Sequence, residues 1–244
     1  MKRLLEVCAG SVESVIAARD GGAARVELCA ALEIGGITPS VGLMEQARRV
    51  DGVAMHVLIR PRGGDFLYNE HEVACMERDI EQARAIGADG IVIGALTADG
   101  DIDMDVCRRL VAAAQGMNVT FHRAFDRCRN PLNALEDIIE LGCSRLLTSG
   151  QAATAFAGCE LIARLVEAAR NRIIIMPGCG VNAANAAQIL DKTHAIEIHA
   201  SARSSRDSQM RYRNSGVAMG VADNNEYTLL ETDPHQVRQI VIAI

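Results

Sequence analysis

The chain alternates between two patterns of apolar residues that repeat along most of its length with short connections. Short runs rich in Val, Ile and Leu are typical of buried strands, and each is followed by a segment with apolar residues at helical spacing. This alternation predicts strands at residues 4–8, 25–29, 53–59, 90–93, 118–122, 145–147, 173–176 and 195–199.

Helices are predicted between these strands, and capping residues and glycines mark several of their ends. Ser11 can cap the first helix, whereas Gly87 and Gly142 follow the last turns of two others. Pro39 opens the second helix, and Asn182 caps the seventh. The predicted helices are residues 12–19, 39–50, 70–86, 104–115, 131–141, 159–171 and 182–190, with a closing helix at 234–244.

Eight strand–helix units in succession predict a parallel sheet covered by helices. Eight units in 244 residues match (β/α)₈ barrels, which run to roughly 250 residues. We therefore expect the α/β class and a single closed TIM-type barrel across residues 1–244, with an open doubly wound sheet as the alternative. A C-terminal extension begins at about residue 203, within a polar loop at 201–219 that we expect on the active face.

Composition narrows the function without identifying it. Apolar residues make up 49% of the chain, and the net charge of −6 argues against a nucleic-acid or anionic-membrane partner. Glu6 interrupts the apolar start that a signal peptide requires, and no run of about 18 apolar residues predicts a spanning helix. Eight cysteines with no C-x-x-C pair indicate reduced thiols in the cytoplasm, with the nucleus also open.

Polar residues share one face in five of the predicted strands, near the carboxyl end of each. Because alternate side chains of a strand point to opposite sides, and helices must cover the apolar face, these residues are expected inside the barrel. They are Glu6 and Cys8, Glu27 and Cys29, His56 and Arg60, Thr120 and His122, and Glu197, His199 and Ser201. Buried charge is costly unless it is paired, so a ligand-binding cavity and a space-filling network of ion pairs are both open interpretations.

The loop after the third strand offers positive charge. Arg60 and Arg62 flank Pro61, and two glycines follow. Guanidinium groups suit carboxylate or phosphate, so this loop predicts one wall of an anion-binding pocket. The alternative is a loop whose arginines pair with nearby acids.

A second anion-binding element is predicted after the seventh and eighth strands. Gly178 and Gly180 precede a predicted helix, and His199 and Ser201 end the last strand. Glycine-rich backbone that leads into a helix N-terminus is where barrels hold phosphate. The alternative is that these glycines form tight turns only.

Three of the inward residues are candidates for moving protons, namely Glu27, His122 and Glu197. Carboxylate and imidazole groups act as general acids or bases when they are positioned against a substrate. Asp126 follows His122 closely and is the group expected to orient its ring.

Cys8 and Cys29 are predicted at the ends of adjacent strands, at matching positions of the first two units. Neighbouring strands lie about 4.8 Å apart, so two thiolates there can share one soft metal ion, and two sulfurs suit Cu(I). His56 or His122 can add a nitrogen ligand. The alternative is that both cysteines are small buried hydrophobic residues.

Several of these motifs resemble the CutC family of copper homeostasis proteins, and animal-type members in particular. The similarity comprises residues 6–8, 11–14, 25–29, 59–68, 119–126, 146–150 and 201–214, in order and with matching spacing. The resemblance implies a (β/α)₈ barrel that forms homodimers or homotetramers, and a Cu(I) site whose ligands are Cys8 and Cys29. The chain departs from the pattern at Ala200, where related chains can carry a further cysteine, and at Cys179, where a glycine is usual.

Two functions from different classes are therefore both consistent with the sequence. The first is a cytosolic Cu(I)-binding protein that buffers copper or hands it on through Cys8 and Cys29. The second is an enzyme that acts on a small anionic or phosphorylated metabolite. Arg60, Arg62 and the glycine-rich loop at 178–180 would hold this substrate. The resemblance favours the first, and the inward-facing charges favour the second.

Overall fold

The computed structural model describes residues 3–214, 216–217 and 226–244, and in it strands and helices alternate as the sequence predicts. The strands of the barrel are β1 (Leu4–Ala9), β2 (Arg25–Leu28), β3 (Ala54–Leu58), β4 (Gly90–Ile93), β5 (Asn118–Phe121), β6 (Arg145–Thr148), β7 (Ile174–Pro177) and β8 (Glu197–Ala200). The helices are α1 (Val12–Gly21), α2 (Val41–Ala47), α3 (Glu70–Ile86), α4 (Met104–Ala114), α5 (Pro131–Glu140), α6 (Cys159–Ala169), α7 (Ala186–Thr193) and α8 (Pro234–Ala243).

The barrel strands pair in parallel in the order β7-β6-β5-β4-β3-β2-β1-β8. Because β1 lies between β2 and β8, the sheet curls back on itself and brings β7 beside β8. The eight strands form a nearly closed barrel, which confirms the predicted (β/α)₈ architecture. This arrangement gathers the carboxyl ends of the strands on one face, where barrel enzymes place their sites.

The main apolar core lies between the strands and the helices. Val7, Val26 and Val57 of the first three strands belong to the same cluster as Val15 of α1 and Ile80 of α3. This layer fixes the face of each strand, because side chains of the opposite parity must then point into the barrel.

Two helices begin later than the sequence predicts. The side chain of Ser40 accepts the N–H of Leu43 at 3.2 Å and caps α2, so Pro39 lies outside that helix. Asn182 does not cap α7, because the side chain of Asn185 accepts its N–H at 2.9 Å and closes a turn before the helix. The N-terminus of α7 therefore does not follow directly on the glycines at 178–180.

The chain beyond β8 forms a hairpin, where the sequence predicts a polar loop. Strand β9 (Arg203–Asp207) pairs antiparallel with β10 (Thr228–Thr232), with Arg203 opposite Thr232. Positions 215, 218 and 219 of the predicted loop lie outside the described residues. The hairpin begins directly at the mouth of the barrel, so Arg203 is held beside the strand ends.

Helix α8 packs against α1, as the predicted closing helix should. Gly21 has no side chain at this contact, and a Cβ there would overlap with Val237. Val237 and Ile240 are buried in the interface. Within the described part of the chain, no helix has the length and apolar character needed to cross a membrane.

Candidate functional site

A network of buried ion pairs forms the floor of the barrel interior. Arg25 donates to Glu6 and Glu197, and it thereby joins β1, β2 and β8. Arg145 of β6 donates to Glu197 through Nε at 2.8 Å and through Nη2 at 3.2 Å. No motif in the sequence identifies Arg25 or Arg145 as site residues, although each has the parity of an inward-facing residue. The ion-pair interpretation of the inward charges is therefore correct for the lower part of the barrel.

Glu197 belongs to this floor. Burial by itself favours the neutral acid, but hydrogen bonds from Arg145 and Arg25, together with their charges, lower the pKa of Glu197. Both of its oxygens accept from arginines, and a carboxylate stabilised in this way is a poor proton acceptor. Glu197 is also not among the described residues that line the cavity above. Its position does not support the predicted role in proton transfer.

Above the floor, a cavity of about 280 Å³ opens at the carboxyl ends of the strands. Seven residues predicted for a site line it, namely Cys8, Glu27, Arg60, His122, Gly180, His199 and Ser201. Three more polar residues that line it are Arg123, Cys179 and Arg203. The structure thus brings together at one opening most of the residues that sequence reasoning selected.

His199 links the cavity to the floor. It lies opposite Glu6 in the register of β8 and β1, and its Nδ1 is 2.8 Å from Oε1 of Glu6. Its Nε2 is 3.8 Å from Oε2 of Glu27. Burial disfavours the imidazolium, but hydrogen bonds with Cys8 and Glu6, together with the charge of Glu27, raise the pKa of His199 well above its ordinary value. His199 therefore contributes positive charge to the cavity at neutral pH.

Glu27 is the carboxyl group that faces the cavity. Burial is the main cause that raises the pKa of Glu27 to about 7; Glu6 acts in the same direction, whereas His199 and Arg25 oppose it. In the described part of the chain, its oxygens have no hydrogen-bond partner. A carboxyl group that titrates near neutral pH inside a cavity is suited to general acid–base chemistry.

His122 faces the same cavity as a neutral ring. Its Nδ1 accepts the N–H of Ala124 at 3.1 Å, so the ring proton resides on Nε2. Nε2 is buried and has no partner among the described residues. Burial, and secondarily the charge of Arg60, lower the pKa of His122 to about 3. At neutral pH His122 is thus a hydrogen-bond donor rather than an acid or a base.

Asp126 does not orient His122, contrary to the expectation from sequence. It accepts the hydroxyl of Thr148 at 2.6 Å and the N–H of Ser149 at 3.0 Å, so it organises the turn after β6. It also pairs with Arg123 at 2.8 Å and holds that arginine at the rim of the cavity.

Arg60 lines the cavity, but most of its donors are used within the protein. Nη1 donates to the carbonyls of Ile34 and Gly36 at 3.1 and 2.8 Å, and Nη2 donates to that of Gly64 at 2.9 Å. Nε is buried and has no partner among the described residues. Arg60 also lowers the pKa of the Tyr68 hydroxyl through its charge and a hydrogen bond, against the larger raising effect of burial. It therefore does not present to the cavity the two-pronged fork expected from sequence.

Arg62 points away from this site. Its Nε lies 2.6 Å from Glu72 and its Nη2 lies 2.9 Å from Asp65. The alternative interpretation of the loop, arginines paired with nearby acids, is therefore correct for Arg62. Of the described residues, Arg62 is not among those that line the cavity.

Arg203, and not Arg62, supplies positive charge to the cavity. It lines the cavity, and its guanidinium has no ion pair or hydrogen bond among the described residues. Arg203 continues the alternation of Glu197, His199 and Ser201. This spacing of two residues predicts that Arg203 faces the barrel interior. Because a polar loop was predicted from residue 201 onward, Arg203 was not included among the predicted site residues.

The two predicted anion-binding glycines have different positions. The N–H of Gly178 donates to the carbonyl of Thr148 at 2.9 Å, and a Cβ at Gly178 would lie 2.6 Å from the side chain of Leu147. Gly178 therefore continues the pairing of β7 with β6 and allows close packing against Leu147, and its N–H is not free to bind an anion. Gly180 lines the cavity and has a φ of +71°, a conformation that favours glycine.

Cys8 and Cys29 lie together in a small apolar cluster inside the barrel mouth, with Leu58 and Val92. Cys8 also lines the cavity, whereas Cys29 is fully buried. Burial is the main cause that raises the pKa of the Cys29 thiol well above its ordinary value, and the charges of Glu27 and Cys8 add to it. The pair is therefore protected from solvent and open to a ligand from one side.

The register of β1 and β2 offsets the two cysteines. Cys8 lies opposite Glu27, so Cys29 stands further along its own chain and the prediction of matching positions is wrong. His122 lines the same cavity as Cys8, whereas His56 is not among the described residues that line it. The described residues contain no group of three or more His, Cys, Asp or Glu arranged to hold a metal ion. Two thiols remain a donor set that fits a soft, low-coordinate ion.

Comparison with known proteins shows relatives over the whole chain. The model of the CutC family matches residues 3–204. A CutC family protein of Chromobacterium violaceum is 53% identical over 244 residues, which cover 100% of this chain and 99% of that protein. The human copper homeostasis protein cutC homolog is 49% identical over 238 residues, which cover 97% of this chain and 87% of that protein.

Solved structures agree with the architecture. The CutC structure from Streptococcus agalactiae superposes with a TM-score of 0.79 at 35% identity, and covers 82% of this chain and 98% of that one. Thiamine phosphate pyrophosphorylase from Pyrococcus furiosus superposes with a TM-score of 0.59 at 17% identity, and covers 99% of this chain and 94% of that one. The second likeness concerns the fold alone.

Proposed function

The chain belongs to the CutC family, and from this premise we propose that it is a cytoplasmic copper homeostasis protein that binds Cu(I) through Cys8 and Cys29. The observation that carries this proposal is the position of the two thiols in one cluster at the barrel mouth, with Cys8 on the cavity wall. The relative from human is named as a copper homeostasis protein.

The chemistry of the donor set supports the proposal. Thiolate is the ligand that a soft ion such as Cu(I) prefers, and the apolar neighbours Leu58 and Val92 shield the pair from water. The raised pKa of the Cys29 thiol means that this group is protonated when no metal is bound, so metal binding must displace a proton. In this proposal Cu(I) is the cargo of the protein and not a resident cofactor. The ion enters through the cavity, so it meets Cys8 before it reaches Cys29.

Competition with a colorimetric Cu(I) chelator, under reducing and anaerobic conditions, tests this function. We expect Cys8→Ser and Cys29→Ser each to lose nearly all Cu(I) affinity, because one sulfur cannot form a two-thiolate complex. Cys107→Ser is the matched control, since Cys107 is a fully buried thiol on α4. Cys179→Ser tests whether the other cysteine on the cavity wall takes part. Folded Cys8→Ser and Cys29→Ser proteins with wild-type affinity would contradict the proposal.

A second candidate function is an enzyme that acts on a small anionic or phosphorylated metabolite in the same cavity. The observation in its favour is a cavity that combines Glu27, whose pKa lies near 7, with the cations His199 and Arg203. Cu(I) binding requires none of these groups. A substrate anion would form an ion pair with the guanidinium of Arg203, and Glu27 would donate or accept a proton.

The melting temperature in inorganic phosphate tests this second function, with sodium chloride at equal ionic strength as the reference. A ligand that binds the folded state stabilises it, so phosphate should raise the melting temperature of the wild type. Arg203→Ala should remove most of the rise, whereas Arg62→Ala should keep it because Arg62 pairs with Glu72 and Asp65. Absence of any rise, across phosphate and simple phosphorylated metabolites, would contradict the second function.

We also propose that the chain forms a homodimer or homotetramer, with the hairpin of β9 and β10 as the contact. Leu230 of β10 is 59% exposed and its neighbour Leu229 is 38% exposed. Apolar side chains at an exposed two-stranded hairpin favour contact with a second surface. Light scattering that gives the mass of a monomer at micromolar concentration would reject this assembly.

A further inference from the structure

The barrel has a seam between β7 and β8, the two strands whose following loops form one wall of the cavity. They stand at opposite ends of the strand order and, among the described residues, do not pair with each other. Alternate N–H groups of a strand face its two neighbours, and the N–H of Gly178 donates to the carbonyl of Thr148 on β6 at 2.9 Å. The preceding position therefore faces β8, and it is Pro177, which has no N–H to donate. The loops beyond the two strands are thus not tied to each other by strand pairing.

The loop that follows β7 turns two carbonyl groups away from the cavity. The carbonyl of Cys179 accepts the N–H of Ala155 at 3.0 Å, and the carbonyl of Gly180 accepts Nδ2 of Asn185 at 2.8 Å. Neither partner is among the described residues that line the cavity. The described peptide units are trans, so each N–H points away from the carbonyl of its own unit. The N–H groups of Gly180 and Val181 therefore point away from these partners, toward the cavity that both residues line.

The N–H groups of Gly180 and Val181 have no hydrogen-bond partner among the described residues. Val181 is 8% exposed, and a buried backbone N–H is nearly always paired in folded proteins. Consecutive amide nitrogens lie about 3 Å apart because of covalent geometry, so one anion can accept from both. Cys179 and Gly180 have φ values of +87° and +71°, and turns of this kind direct successive N–H groups to one concave side that binds anions. The backbone thus forms a clamp with two donors.

The end of β8 supplies further donors across the seam. A Cβ at Gly178 would lie 3.2 Å from Cβ of His199, so the ends of the two strands are in contact. Ser201 and Arg203, here called the β8 donors, follow His199 with the same parity, and both line the cavity. The N–H and hydroxyl of Ser201 and the guanidinium of Arg203 have no partner among the described residues.

We infer that the N–H groups of Gly180 and Val181, together with the β8 donors, form a phosphate-binding subsite of the cavity, and that its ligand is a phosphate monoester. This inference rests on the second proposed function and narrows its substrate class from small anions to phosphate monoesters. Backbone N–H groups and guanidinium are donors that proteins commonly offer to phosphate. The loops after the seventh and eighth strands are also where many barrels hold phosphate.

The number and placement of the donors favour phosphate over carboxylate. Two amides belong to the loop after β7, and the β8 donors add an amide, a hydroxyl and a guanidinium on the other side of the seam. A phosphate monoester has three terminal oxygens that point in different directions and accept from both sides, whereas a carboxylate has two oxygens in one plane. A carboxylate ligand would leave donors unpaired, and each unpaired donor weakens binding.

Two-dimensional NMR of the wild-type protein, with ¹⁵N-labelled glycine and valine, tests the clamp directly. The probe is glycerol 3-phosphate, and its counterpart is glycerate, which has a carboxylate in place of the phosphate ester. Amide protons that donate to an anion move downfield, so the signals of Gly180 and Val181 should shift with glycerol 3-phosphate. The signal of Gly142 should not, because its N–H donates to the carbonyl of Ile139. No shift of either clamp signal at saturating glycerol 3-phosphate would overturn the subsite.

Calorimetry with the same two probes measures the selectivity of the subsite. We expect the wild type to bind glycerol 3-phosphate about ten-fold tighter than glycerate, because the donors that glycerate leaves unpaired weaken its binding. Val181→Pro removes one donor of the clamp. It should weaken the binding of glycerol 3-phosphate at least about ten-fold, which is the contribution of one hydrogen bond to a charged group.

Gly180→Ala guards against misfolding of Val181→Pro. A Cβ at Gly180 would lie 3.0 Å from Cγ2 of Thr154, so the loop must shift and the binding of glycerol 3-phosphate should weaken. Gly142→Ala is the matched control, because its φ of +79° imposes similar backbone strain while a Cβ there would have no heavy atom within 4 Å. It should bind glycerol 3-phosphate as the wild type does. Thermal unfolding of each variant establishes that it is folded.

The outcomes separate the subsite from the second function. If folded Val181→Pro and Gly180→Ala keep wild-type affinity for glycerol 3-phosphate while Arg203→Ala loses it, the anion is held without the clamp. That result would overturn the subsite and leave the second function in place. Equal binding of glycerol 3-phosphate and glycerate by the wild type would overturn the assignment of a phosphate monoester in the same way. A wild type that binds neither probe would contradict the second function, and the subsite with it.

Discussion

The Nδ1 atom of His199 lies 2.8 Å from a carboxylate oxygen of Glu6, and this contact couples the cavity to the ion pairs beneath it. Glu6 also accepts from Arg25, which in turn donates to Glu197. The charge on His199 is therefore sustained by a fully buried network and not by solvent. The protonation of His199 at the mouth of the barrel therefore depends on the buried carboxylate of Glu6 beneath it.

Removal of Glu6 should destabilise the fold strongly. Glu6→Ala leaves two cations, His199 and Arg25, with one carboxylate partner fewer in a buried site, and breaking a buried pair costs about 3–5 kcal/mol. Urea unfolding measures the change in the free energy of unfolding. Glu136→Ala is the control, because the pair of Glu136 with Arg172 lies on the surface and its loss should have little effect. Equal stability of the two variants would show that the floor is not held by its charges.

The neutral state of His122 predicts how the free energy of unfolding changes at low pH. Burial lowers its folded-state pKa to about 3, whereas the unfolded chain has the ordinary histidine value of about 6.5. Between these values the unfolded state binds one proton more, so the stabilisation is present above about pH 6.5 and is lost as the pH falls toward 3. The free energy of unfolding of the wild type should therefore fall more steeply than that of His122→Gln, by about 1.4 kcal/mol per pH unit. Parallel curves for the two proteins between pH 6.5 and 4 would contradict a buried neutral His122.

The architecture could be predicted from sequence because it depends on local periodicity. Alternation of apolar residues identified each strand, and its parity placed Glu27, His122 and His199 on the inside. What could not be predicted were contacts between distant parts of the chain. Arg145 on β6 pairs with Glu197 on β8, and no spacing in one sequence reveals that partner.

Arg60 is a second example of contacts between distant parts of the chain that the sequence could not predict. A guanidinium beside glycines predicted an anion clamp, but the carbonyls of Ile34 and Gly36 take up Nη1 of Arg60. These carbonyls belong to the segment after β2, so only the folded chain brings them to Arg60. The same holds for Cys8 and Cys29, whose offset follows from the strand register and not from their places in the repeat.

The packing of α8 on α1 can be tested with a pair of glycines. A Cβ at Gly21 would overlap with Val237, whereas a Cβ at Gly42 of α2 would have no heavy atom within 4 Å. Gly21→Ala should therefore destabilise the protein by about 1–3 kcal/mol through overpacking. Gly42→Ala should stabilise it by roughly 0.5–1 kcal/mol, because alanine favours an exposed helix position. Thermal unfolding that ranks the two variants in the reverse order would mean that α8 does not close the barrel as described.

X-ray absorption at the copper K-edge reports the ligands of bound Cu(I) directly. We expect wild-type protein, loaded with one equivalent of Cu(I) without oxygen, to show a first shell of two sulfurs, and Cys107→Ser to show the same shell. Cys8→Ser and Cys29→Ser, verified as folded by thermal unfolding, should each lose a sulfur from that shell. A wild-type shell of nitrogen and oxygen alone, or a two-sulfur shell that persists in Cys8→Ser, would contradict copper binding by this pair of cysteines.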